Sequence, residues 1–174
     1  AGWQTKKAIG VKCKGKLEGR SPEATVEKEP PAPRGALATP DINGGRFLVV
    51  DDSQVGRMMV ADRLVSMGAE VDCADNGQQG MERFLAGGQD YDYILMDIQM
   101  PVMDGIEAAR RIRLSGHPRS RSIPIIAMSA SVFKEDVARM LAAGMNAHIP
   151  KPFQQRQIEQ ALAEAKPNYR EEPF

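Results

Sequence analysis

The feature that most limits how this 174-residue chain can fold is a series of short apolar runs, each stopping at polar residues. Phe47-Leu48-Val49-Val50 stops at Asp51-Asp52, Tyr93-Ile94-Leu95-Met96 at Asp97, and Ile123-Pro124-Ile125-Ile126-Ala127-Met128 at Ser129. Continuous apolar runs of this length suit strands buried on both faces. Ala69 to Ala74 and Ala147-His148-Ile149 add two more strands. The intervening segments carry helical spacing. The first runs from Ser53, a candidate N-cap, to Met67, with Gly68 as its stop; the second spans Gln78 to Ala86. Asp104 caps a third that reaches Leu114, Val132 to Ala143 forms a fourth, and Ile158, Ala161, Leu162 and Ala165 mark one face of a fifth. Five strands alternating with five helices predict an α/β fold, a doubly wound five-stranded parallel sheet flanked by five helices.

Composition divides the chain. Residues 1–45 form a basic and then Pro-rich arm, with Lys6, Lys7, Lys12, Lys14, Lys16 and Arg20 ahead of Glu29-Pro30-Pro31-Ala32-Pro33, and read as largely irregular. Residues 46–166 form the domain, and 167–174 a short tail. Basic and acidic residues number 23 each, which argues against general nucleic-acid binding or attraction to an anionic membrane. No apolar run is long enough to span a bilayer, and the first ten residues lack a signal-like core. Cys13 and Cys73 have no metal-type spacing, and reduced thiols in a cytoplasmic setting are the simplest expectation. The absence of an initial Met suggests a fragment, leaving room for a membrane anchor elsewhere in a parent chain.

In a doubly wound sheet, ligands bind outside the carboxyl ends of the strands. That edge here receives Asp51, Asp52, Asp97, Ser129 and Lys151. Three crowded carboxylates repel one another unless a cation joins them, and hard oxygen ligands suit Mg²⁺. A carboxylate in that setting can attack a phosphoryl group and form an acyl phosphate, with Lys151 and the Ser129 hydroxyl binding the phosphoryl oxygens.

The motifs Phe47–Asp52, Met96–Gly105, Ile123–Ala130 and Gly144–Phe153, in that order, resemble the receiver domain of two-component response regulators, a flavodoxin-like fold. The second and fourth are most similar to C-terminal receivers of hybrid histidine kinases. The resemblance implies that Asp97 accepts a phosphoryl group from a phosphohistidine. It implies that Asp51 and Asp52, Asp52 the more directly, hold Mg²⁺ with Asp97 and the backbone carbonyl of Gln99. It assigns Ser129 and Lys151 to the phosphoryl oxygens, a cis peptide to Lys151-Pro152, and the turn into the third helix to Gly105. Three positions depart from the family. His148 stands at the switch position usually held by Tyr or Phe, Ser129 replaces the commoner Thr, and Gly56 replaces an Asn frequent in hybrid-type receivers. Gln99 and Ser131 flank the expected path of hydrolytic water and are candidates for setting the acyl-phosphate lifetime.

The expected partner is a histidine kinase core or a histidine phosphotransfer domain, engaged through helix one and the strand-end loops. With only eight residues after Lys166, output is expected from elsewhere. Three other readings compete. A pseudo-receiver would serve only as a protein-interaction module, yet every residue needed for phosphorylation is in place. An Asp-nucleophile Mg²⁺ phosphatase needs a second Asp two positions after the nucleophile, where this chain has Gln99. A nucleotide-binding domain lacks its glycine motifs.

Overall fold

The structure, a computed structural model, describes residues 41–87, 90–130 and 133–165. Strands and helices alternate throughout: β1 (Arg46–Val50), α1 (Gln54–Ser66), β2 (Glu70–Ala74), α2 (Gly77–Gly87), β3 (Tyr93–Asp97), α3 (Gly105–Leu114), β4 (Ile125–Ser129), α4 (Lys134–Ala142), β5 (Ala147–Pro150) and α5 (Gln155–Glu164). All strand pairs are parallel, in the order β2-β1-β3-β4-β5. This is the doubly wound sheet anticipated from the apolar runs.

Alternation along each strand divides the core into two layers. Phe47, Val49, Tyr93, Leu95, Ile126, Met128 and Ile149 face Val60, Ala61 and Leu64 of α1 and Ile158, Ala161 and Leu162 of α5. Leu48, Val50, Ile94, Met96, Ile125 and Ala127 face Phe84 of α2, Ala108, Ala109 and Ile112 of α3 and Met140 of α4. Each strand is therefore apolar on both faces, which is why its sequence shows no polar alternation. Phe84 and Ile112 are both fully buried, and truncating such a side chain costs about 2–5 kcal/mol.

The predicted caps hold. Ser53 accepts from the Gly56 N–H, and Asp104 from the Glu107 N–H. β4 starts at Ile125 rather than at Ile123, because Pro124 has no N–H to donate to the ladder and the Ile123 N–H bonds to the Arg119 carbonyl. The fourth helix begins at Lys134, with Ser131 and Val132 outside the described residues. Cys73, expected as a reduced thiol, is disulfide-bonded, and Cys13 lies outside the described residues. The basic arm and proline-rich stretch up to residue 40, and the tail, also lie outside them. No helix among the described residues is long and apolar enough to cross a membrane.

Candidate functional site

The strand order reverses at β1, whose neighbours are β2 and β3, and the crevice at such a reversal opens at the carboxyl ends of the strands. Val50 lies in register with Ala74 on one side and Met96 on the other, so Asp51 and Asp97 emerge side by side. Asp51 is fully buried, Asp97 is 6% exposed, and Asp52 is exposed. One carboxylate oxygen from each of the three lies within 4.8 Å of the others. The sequence patterning thus brings two adjacent acidic residues and a third, 45 positions further along the chain, into one cluster.

Lys151 enters from the end of β5. Its Nζ donates to Asp51 Oδ2 at 2.7 Å and lies 3.2 Å from Asp97 Oδ2. The Lys151-Pro152 bond is cis, as expected, and the Lys151 N–H donates to the Ser129 carbonyl. Asp51 Oδ1 receives the Ser53 N–H at 2.8 Å. Burial raises the Asp97 pKa, the charge of Asp51 adds to that effect, and the Lys151 ammonium and the Gln99 N–H oppose it. Burial also pulls the Lys151 pKa down, but hydrogen bonding to Asp51 and the charges of both aspartates outweigh it and raise the pKa overall. Lys151 is therefore a committed cation at neutral pH. Three carboxylates against one ammonium still leave the pocket negative.

The loop after Asp97 is held by steric fit. The Gly105 N–H donates to the Ile98 carbonyl, and a Cβ on Gly105 would lie 2.1 Å from the Asp97 carbonyl oxygen. Gly105 is required for this close approach, and it has no positive φ that would make it a turn glycine. Val102 does have one, at φ 70°, within a three-residue turn closed by the Met103 N–H and the Pro101 carbonyl.

Ser129, at the end of β4, is buried, and with exposed Gln99 it lines a groove of about 470 Å³ that also includes Asp104 and Met140. His148 lies apart from the acidic cluster. On β5 it pairs with Ala127 of β4, lines a separate groove with Leu141 and Glu164, and has a buried Nε2 without a hydrogen-bond partner among the described residues. The structure thus brings Asp51, Asp52, Asp97 and Lys151 together, with Ser129 and Gln99 at the rim. Ser131 lies outside the described residues.

Residues 47–163 match the family model described as the response regulator receiver domain. The chain belongs to that family. It is 33% identical over 140 residues to Probable histidine kinase 5 of Oryza sativa subsp. japonica, with 70% of this chain and 12% of the relative covered. It is 37% identical over 122 residues to Hybrid signal transduction histidine kinase L of Dictyostelium discoideum, with 68% and 7% covered. This receiver chain thus spans a small part of those curated relatives. Among solved structures it is similar to the receiver domain of a sensor histidine kinase from Pseudomonas aeruginosa, with a magnesium ion coordinated in that protein's active site cleft (35% identity, TM-score 0.62, covering 70% of this chain and 97% of that one). The chemotaxis protein CheY4 of Vibrio cholerae matches at 27% identity and TM-score 0.64, covering 70% and 98%. The chain is therefore a receiver domain of the two-component phosphorelay type, homologous to the phosphoacceptor domains of hybrid histidine kinases.

The sequence reading missed Arg57. Its guanidinium is buried and donates from Nη1 to the Asp51 carbonyl at 2.5 Å. A signal was present. Arg57 heads the series Arg57, Val60, Ala61 and Leu64, the buried face of α1 at i, i+3, i+4 and i+7. A charged residue in that register needs a buried partner.

Proposed function

We propose that Asp97 is the phosphoacceptor of this receiver and that Asp51, Asp52 and Asp97 form its Mg²⁺ site, completed by the backbone carbonyl of Gln99. The observation that carries the reading is the meeting of buried Asp97 with Asp51, Asp52 and Lys151 at one strand-end crevice. The donor set fits the ion, since hard carboxylate oxygens around a net negative pocket are what Mg²⁺ prefers. When bound, Mg²⁺ would neutralise charge on the phosphoryl oxygens.

In the transfer, a carboxylate oxygen of Asp97 bonds to the phosphorus of a phosphohistidine, the phosphorus–nitrogen bond breaks, and the leaving imidazole keeps the electron pair and takes a proton. Lys151 and the Ser129 hydroxyl bind phosphoryl oxygens. Gln99 and Ser131 border the approach of hydrolytic water and tune the lifetime of the acyl phosphate. Ser129 and His148 act as the switch pair. The partner is a histidine kinase core or a histidine phosphotransfer domain. It would dock on α1 beside the site, where Val55 and Met59 are exposed one turn apart. A place within a hybrid histidine kinase suits the similarity to such proteins.

Exposure to beryllofluoride with Mg²⁺ tests the reading. Amide shifts around the crevice are expected in the native chain and not in Asp97→Asn. A native chain with no response would favour the pseudo-receiver. The phosphatase reading is the weaker, because exposed Gln99 supplies no proton where that chemistry needs an acid.

A further inference from the structure

Arg57 closes a ring of contacts behind the acidic cluster. Its Nη1 donates to the Asp51 carbonyl at 2.5 Å, and its Nη2 pairs with Asp75 Oδ1 at 2.8 Å. Asp75 follows Ala74, the last residue of β2, whose carbonyl accepts the Asp51 N–H at 3.2 Å. Both backbone polar groups of Asp51 are thus fixed, one by β2 directly and the other through a guanidinium anchored to the residue after β2. The Asp51 carboxylate is held independently by Ser53 and Lys151. Arg57 makes no ion pair with the three carboxylates of the cluster, and its own carboxylate partner stands on another loop.

From this geometry we infer that Arg57 is a positioning residue for the Mg²⁺ site, fixing the backbone that carries Asp51 and Asp52 by tying it to the β2–α2 loop through Asp75. The inference rests on the assignment of that site above. The two contacts diverge from one planar group, which suits the fork of a guanidinium and not the point charge of an ammonium.

Charge and positioning make opposite demands, and that separates them. If Arg57 mattered only through its charge, Arg57→Ala would tighten Mg²⁺ binding by removing a nearby cation, and Arg57→Lys would leave it unchanged. As a positioning residue, Arg57 should weaken binding when replaced by either. Loss of a group that orients metal ligands costs about 10- to 100-fold in affinity. Because Arg57 acts through the backbone, the low end applies: about tenfold for Arg57→Ala and several-fold for Arg57→Lys. Asp75→Asn, at a side chain 61% exposed, should weaken binding about threefold.

The experiment is calorimetric titration of the full chain with MgCl₂, with the folded fraction checked by circular dichroism and Asp52→Asn as the reference. If Arg57→Ala does not fold, Arg57→Lys and Asp75→Asn carry the test. Native affinity in folded Arg57→Lys, or tighter binding in Arg57→Ala, overturns the inference while leaving the site reading intact. A native chain with no Asp52-dependent heat of Mg²⁺ binding overturns the site reading, and the inference with it.

Discussion

Asp52→Asn should make the metal-free protein more stable and the Mg²⁺-saturated protein less stable than the native chain. The three carboxylates place one oxygen each within 4.8 Å of one another, and Lys151 pairs with Asp51 and Asp97 but not with Asp52. Two unit charges at that distance repel by about 1 kcal/mol in water and by roughly 3.5 kcal/mol at an effective dielectric of 20. Asp52 is exposed, so the lower figure applies to each of its two repulsions, and Lys151 offsets part of both. The net relief in Asp52→Asn is then about 1 kcal/mol, or about 3–5 °C in Tm for a domain of this size. Mg²⁺ at a hundred times its Kd stabilises the native chain by about 2.7 kcal/mol through mass action. The variant, short of one ligand, should recover little of that. Urea unfolding with EDTA and with saturating MgCl₂ would reveal the crossing. Reduced stability of Asp52→Asn in EDTA, or equal Mg²⁺ stabilisation of both proteins, would refute the electrostatic reasoning.

Four further outcomes are expected. Gly105→Ala would drive a Cβ to 2.1 Å from the Asp97 carbonyl oxygen, so a loss of about 3 kcal/mol in urea titrations should accompany weaker beryllofluoride binding. Val102→Asn, at a φ of 70° and 79% exposed, should raise stability by about 1 kcal/mol, because Asn tolerates the left-handed region better than a β-branched residue. Tyr91 is pushed up to about 12 by burial and then by Asp72, which accepts its hydroxyl at 2.8 Å. A folded value above the ordinary 10.0 gives a contribution that is complete below pH 10 and lost as pH rises to 12, so Tyr91→Phe should flatten the alkaline fall of the urea midpoint. Gln99→Ala should change the phosphoryl half-life several-fold, and an unchanged decay of the phosphorylated protein would remove Gln99 from that role.

Much of the fold was legible because burial on both sheet faces leaves a strong mark. Leu48 and Val49 point into opposite layers, yet both must be apolar, so the run itself announces a central strand. The cluster was legible for a related reason, since topology places strand ends together whatever the helices between them do. The sequence marks Gly105 as the entry to the third helix but not the close approach to the Asp97 carbonyl that demands a glycine there, a distance that exists only once α3 has packed. The register of α1 shows that Arg57 is buried but not what it meets, because its partners are a backbone carbonyl and a residue of another loop. The sequence marks His148 as unusual but gives no sign that its Nε2 is buried without a partner.

The direction in which Arg57 points also decides the charge of the pocket. Among the described residues Lys151 is the cation that pairs with these carboxylates, leaving three negative charges against one positive charge, and a cleft of that sign attracts a divalent cation. Had the Arg57 guanidinium paired with the Asp51 carboxylate, two positive charges would face three negative ones and the attraction would weaken. Instead the guanidinium bonds to the Asp51 backbone and gives its ion pair to Asp75. The same residue can then hold the loop rigid without discharging the site. This division, with backbone held by arginine and carboxylates left for lysine and the proposed Mg²⁺, would let a pocket that strains the metal-free fold remain both ordered and cation-seeking.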